Sequence, residues 1–136
     1  MALSLSLELP NLNSETLTCN PDDLRALTSF SNCLESTTPG WNWNSTDSPG
    51  CCTWTGVTCD NSTGFGRRVV GLELGSKRLV GKICGSLADL NQLRVLNFSH
   101  NFLEGSLPDD LFNLQNIEII DIGNNAFVGS IDIKED

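Results

Sequence analysis

The sequence is poor in positive charge. It has 8 Lys+Arg against 17 Asp+Glu, a formal net charge of −9. No basic face is available to displace phosphate counterions, which argues against nonspecific nucleic-acid binding. The same balance argues against direct docking on an anionic membrane surface. Long apolar runs are lacking too; none approaches the roughly 18–20 residues that cross a bilayer. Catalytic signatures are missing. There is no G-x-S-x-G, H-E-x-x-H or P-loop, and Gly64-Phe65-Gly66 lacks the third glycine of a dinucleotide loop. A single histidine, His100, leaves little for a zinc site, which wants repeated C-x₂-C knuckles or histidine partners. The 136 residues suffice for one domain. They leave no room for a kinase domain of roughly a few hundred residues. The sequence therefore predicts no catalytic activity, no cofactor and no metal.

Cysteine is what the sequence has. Six are present: Cys19, Cys33, Cys51, Cys52, Cys59 and Cys84. An even count crowded toward one end reads as a disulfide framework in an oxidising compartment. Three N-glycosylation sequons agree, at Asn44, Asn61 and Asn97. The start fits less well. Met1–Leu9 (MALSLSLEL) has no Lys or Arg, is broken by serines and contains Glu8. A secretory leader wants a basic start and an apolar core, so the expectation is a leader that is absent or truncated.

Three segments follow along the chain. Residues 1–18 are polar and featureless, a residual leader or a disordered stretch. Residues 19–66 form a cysteine-rich unit that opens with a helix. Asn20 suits the N-cap, Pro21 the first helical position, and Asp22 and Asp23 the positive end of the helix dipole. Leu24, Leu27, Phe30 and Leu34 give one apolar stripe, and Thr37-Thr38-Pro39-Gly40 is expected to stop it. Trp41, Trp43 and Trp54 then suggest a small core of their own, packing aromatics rather than a carbohydrate platform.

Residues 67–136 repeat with a period of 24, as 69–92, 93–116 and a partial 117–136. Leu72, Leu96 and Ile120 align, as do Leu74, Phe98 and Ile122. Leu79, Leu103 and Phe127 follow, then Gly81, Gly105 and Gly129, and then Ile83, Leu107 and Ile131. A fixed period of this length in the L-x-x-L-x-L-x-x-N-x-L form is a leucine-rich-repeat solenoid. Each x-L-x-L-x stretch is a short strand with its leucines inward and alternate residues on the concave face. Asn101 and Asn125 are expected to bond backbone groups of the turn after it. Lys77 stands in their place in the first repeat, so this asparagine ladder is expected to start one coil late. His100 falls in a turn beside Asn101, and Asp109-Asp110 in a solvated convex loop.

These motifs resemble a known family. Leu103-Glu104-Gly105-Ser106-Leu107-Pro108 has the L-x-G-x-I/L-P form of plant-type repeats. Cys51-Cys52-Thr53-Trp54-Thr55-Gly56-Val57-Thr58-Cys59 looks like the C-C-x-W-x-G-V/I-x-C of their N-terminal cap. CNPDDLRALTSF resembles the cap helix, and RVVGLELGSKRLVGK with LRVLNFSHNFLEGS is similar to the phytosulfokine receptor group of plant receptor-like kinases. Cys84 and Asp132 depart from the pattern, standing where a repeat usually carries proline.

The resemblance implies an α/β solenoid with a disulfide-bonded cap, and the pairs Cys19–Cys51 and Cys52–Cys59. Cys33 and Cys84 remain, either bonded to each other as a staple between cap and solenoid or buried as thiols. It implies the non-catalytic start of an extracellular receptor ectodomain. Such a receptor would carry a kinase, and would meet a peptide ligand or co-receptor through downstream repeats. Its sulfated peptide would bind at an island insertion with no counterpart in these residues. The alternative is a secreted defence protein like the polygalacturonase inhibitors, which share the cap and repeat type.

Overall fold

A computed structural model describes residues 19–43, 50–61 and 66–129. Expectations for 1–18, Asn44, Ile131 and Asp132 fall outside the described residues.

Helix α1 spans Pro21–Asn32. Asn20 caps it, its Oδ1 accepting from the amides of Asp22 at 2.8 Å and Asp23 at 3.3 Å. Proline at the first position has no amide to leave unsatisfied. Ala26, Leu27 and Phe30 are buried on one face. The helix ends earlier than the sequence suggests. The Cys33 amide turns back to Phe30 O at 2.9 Å, and the chain becomes strand β1, Leu34–Ser36. Leu34 is thus a strand residue and not the last member of the helical stripe. The physical reason is tertiary. Leu34 pairs with Gly81, and sheet pairing overrides the helical spacing.

Seven further strands follow: β2 Val57–Cys59, β3 Val69–Glu73, β4 Val80–Lys82, β5 Val95–Asn97, β6 Phe102–Gly105, β7 Ile119–Asp121 and β8 Ala126–Phe127. They form two sheets, ordered β2-β3-β5-β7 and β1-β4-β6-β8. Within each, the repeat strands run parallel. The register advances 24 residues per coil: Leu72 opposite Leu96, and Leu96 opposite Ile120. The first sheet lines the concave side. The second, β1-β4-β6-β8, adds a further sheet to the strands that the repeat pattern predicts. Strands β1 and β2 lie antiparallel on the two leading edges, so the cap covers edge amides that would otherwise recruit another strand.

The convex side carries short 3₁₀ helices at Gly85–Asp89 and Asp109–Asn113. Among the described residues the α-helix belongs to the cap; the repeats close on 3₁₀ turns. Leu72, Leu74, Leu96 and Phe98 are fully buried, while Ile120 and Ile122 are half-buried. The tryptophans are not a core of their own. Trp41 stacks on Trp43 and Trp43 on Trp54, at 4.6 and 5.2 Å between ring centroids. Phe30 lies 6.0 Å from Trp43 and 5.3 Å from Phe98. Cap and coils share one apolar cluster. The fold is a leucine-rich-repeat solenoid with a disulfide-bonded N-terminal cap.

Candidate functional site

The cap–coil junction concentrates the charge chemistry. Asp23 lies on the apolar face of α1 and is 0% exposed. Its Oδ2 accepts from Arg68 Nε at 2.9 Å and from the Val69 amide at 2.9 Å; its Oδ1 accepts from Arg68 Nη2 at 3.1 Å. A bidentate fork of this kind satisfies a buried carboxylate. Arg68 Nη2 also donates to Asn91 Oδ1 at 2.7 Å, in the first coil. Its hydrogen bond to Asp23 holds the guanidinium above its ordinary value, against the opposing effect of burial.

Neighbouring groups extend the seam. The Asn20 amide donates to Arg67 O, the Asp60 amide donates to Arg68 O, and the Arg68 amide donates to Asp60 Oδ1. By its place in the first turn Asp23 reads as a dipole residue. A signal was present: Asp23 shares the i, i+3, i+4, i+7 face with Ala26, Leu27 and Phe30, so its carboxylate needs a buried partner. The partner lies 45 residues away.

Three disulfides hold this region: Cys19–Cys51, Cys33–Cys84 and Cys52–Cys59. The first two link α1 to the tryptophan segment and to the first coil. The third closes a separation of 7 residues beside β2.

The asparagine ladder reaches backward. Asn101 Nδ2 donates to Leu74 O, Phe98 O and Ser99 O, and its Oδ1 accepts from the amides of Lys77 and Leu79. Asn125 Nδ2 donates to Phe98 O, Ile122 O and Gly123 O, and its Oδ1 accepts from the Leu103 amide. Each asparagine therefore serves the preceding turn as well as its own. The ladder's first asparagine is Asn101 in the second coil, and it serves the first coil's turn, where Lys77 stands, as well as its own.

The concave strip is small. One column runs Gly71, Val95, Ile119, the next Glu73, Asn97, Asp121. Asn97 is half-buried and Asn61 exposed. His100 is exposed, its Nε2 3.3 Å from Asn124 Nδ2. Asp109 and Asp110 are exposed at the start of a convex 3₁₀ helix. A mixed-charge cleft of about 340 Å³ opens between α1 and the first coil, lined by Asp22, Arg25, Ser29, Arg68 and Asp89 among others. Among the described residues, no cluster of His, Cys, Asp or Glu has the arrangement to hold a metal ion, and no helix is long and apolar enough to cross a membrane.

Cap helix, paired cap strands and 24-residue coils on an asparagine ladder define a capped leucine-rich-repeat solenoid, similar to those of plant receptor ectodomains. Residues 20–60 match the family described as leucine rich repeat N-terminal domain. Phytosulfokine receptor 1 of Arabidopsis thaliana is 47% identical over 117 residues, 85% of this chain but 11% of that receptor. The leucine-rich-repeat ectodomain of the receptor kinase SOBIR1 from Arabidopsis thaliana superposes with a TM-score of 0.67 at 26% identity, over 85% of this chain and 60% of that one. The ectodomain of the Arabidopsis receptor kinase HAESA, in complex with an N-terminal extended IDA peptide hormone ligand, gives a TM-score of 0.63 at 33% identity. That match covers 80% of this chain and 18% of that one.

Proposed function

We propose that this chain is the non-catalytic cap and opening coils of an extracellular peptide-hormone receptor of the receptor-kinase type. Its work is mechanical. It seals the leading edges of both sheets and sets the register for the coils that follow. A solenoid repeat contacts only its neighbours, so a terminal unit with a polar outer face is required. The supporting observation is the 47% identity to phytosulfokine receptor 1 running through cap and coils together. Peptide ligand and co-receptor would be met by downstream repeats. The place of action would be the apoplast, as part of a plasma-membrane receptor, where the disulfides persist. The relatives named above are receptors, which favours this reading over a secreted inhibitor of wall-degrading enzymes.

A chimera tests it. Residues 19–129 replace the matching stretch of phytosulfokine receptor 1, and surface delivery and phytosulfokine binding are measured. The expected result is normal delivery and normal affinity, with no binding by the isolated 136-residue chain. A delivered but ligand-blind chimera, or tight binding by the isolated chain, overturns the proposal.

A further inference from the structure

The outer face of the second sheet combines an exposed aromatic ring with unpaired cations. Exposure alternates along residues 78–83: Arg78 and Lys82 are exposed, while Leu79, Gly81 and Ile83 are buried. Arg78, Val80 and Lys82 therefore look outward. In the next coil Phe102 and Glu104 do the same on either side of the buried Leu103. The register sets Val80 against Phe102 and Lys82 against Glu104. Phe102 is 63% exposed although its backbone is fixed, its amide donating to Leu79 O at 2.8 Å. A lone surface phenylalanine needs no explanation. The charges around this one do.

Elsewhere the cations are occupied. Arg25, Arg68 and Arg94 each hold a carboxylate, and Arg67 donates to Cys59 O and Asp60 O. Among the described residues, the side chains of Lys77, Arg78 and Lys82 have no ion pair and no hydrogen bond. Lys82 stands opposite Glu104 without pairing to it. Its stem runs over Gly105, with Cγ, Cδ and Cε 3.2, 3.3 and 3.4 Å from where a Cβ there would lie. In a chain of formal net charge −9, carboxylates are plentiful. Unpaired cations confined to 77–82 are a local reversal of the molecule's charge.

We propose that this face docks an acidic segment of a second protein, one that carries an apolar side chain beside its carboxylates. The apolar side chain covers Val80 and Phe102, and the carboxylates meet Arg78 and Lys82, with Lys77 at the margin. Charge complementarity selects this occupant. A uniform polyanion fits worse. It wants an unbroken row of cations, and here Phe102 and Glu104 interrupt the row. A protein segment can place an apolar residue where the positive charge lapses. The contact lies outside the concave strip and goes beyond the capping role, giving the first coils a partner of their own.

A peptide selection tests this. A phage-displayed library of random peptides is first depleted on the triple variant Arg78→Glu/Lys82→Glu/Phe102→Ser, then selected on the full wild-type chain with its disulfides. All three positions lie on the surface, and an unchanged tryptophan dichroism confirms that the variant is folded. The expected result is an enriched family in which Asp or Glu flanks an apolar residue. With those peptides remade in solution, Arg78→Glu and Phe102→Ser should each weaken binding about tenfold. Glu104→Gln removes the carboxylate of β4 and β6. It should tighten binding about threefold, more so at low salt, a gain that a damaged fold does not give. Sodium polygalacturonate serves as the uniform polyanion and should compete poorly. No enrichment over the variant, an enriched family without acidic residues, or polygalacturonate that outcompetes the peptides overturns the proposal.

Discussion

Asp23 is a fully buried charge with three donors aimed at it. The two halves of its ion pair are unequal. Arg68 keeps 24% of its side chain exposed and Asp23 none. Removing the arginine strands a buried carboxylate; removing the aspartate lets the guanidinium rehydrate. Arg68→Ala should therefore cost about 3–5 kcal/mol. Asp23→Ala should cost less, on the order of the 1–3 kcal/mol for an orphaned buried amide, here that of Val69. Urea midpoints for the two variants decide the order.

The sign of the pH effect also follows. Arg68 is raised above its ordinary value, so its contribution is complete below that value and lost only as pH climbs through the raised one. The gap between wild type and Arg68→Ala should stay constant from neutrality to about pH 10. Asn101 makes a second contrast at this scale. It is buried and bonds five backbone groups, so Asn101→Ala should lower thermal stability more than Asn125→Ala, whose residue is half-buried and bonds four. Asn101 was legible because the motif repeats. That it also serves the turn of the preceding coil was not, since no local pattern encodes a bond to a residue 24 positions earlier.

At the scale of elements, the concave strands could be read because they alternate and recur. The second sheet could not. Its strands β4, β6 and β8 are two to four residues long and include Gly81 and Gly105, too short for alternation to show. Those glycines are not equivalent. Gly81 has φ +134°, and a Cβ there would meet Cys33 O at 2.8 Å, where β1 crosses β4. Gly129 has φ +93° with nothing near the added atom. Both substitutions pay backbone strain of roughly 1–3 kcal/mol, but Gly81→Ala adds a collision with backbone. It should destabilise the chain clearly more than Gly129→Ala in thermal melts, and loosen the cap from the first coil. The early end of α1 belongs to the same contact. Leu34 fits the helical stripe by spacing, and its strand role depends on Gly81, which lies far along the chain.

At the scale of the whole molecule, burial falls along the solenoid axis. Leu93, Leu96 and Phe98 are fully buried in the second coil; their counterparts Ile117, Ile120 and Ile122 are half-buried in the third. In the isolated chain, at ~25 cal/mol per Å² of apolar surface, that difference amounts to several kcal/mol. Hydrogen exchange should be slowest in α1, β3 and β5 and fastest in 117–129. Slowest exchange in 117–129 would falsify this gradient. The aromatic stack gives the gradient an optical counterpart. All three tryptophans lie in the cap and the chain has no tyrosine. Ultraviolet emission therefore watches the cap alone, while backbone dichroism watches every coil. The close stacking of Trp41, Trp43 and Trp54 should couple their transitions into a strong near-ultraviolet dichroic band that vanishes when the cap opens. On titration with denaturant the dichroism of the backbone should begin to fall while the tryptophan signals still hold. The molecule thus carries a built-in indicator of which end is letting go.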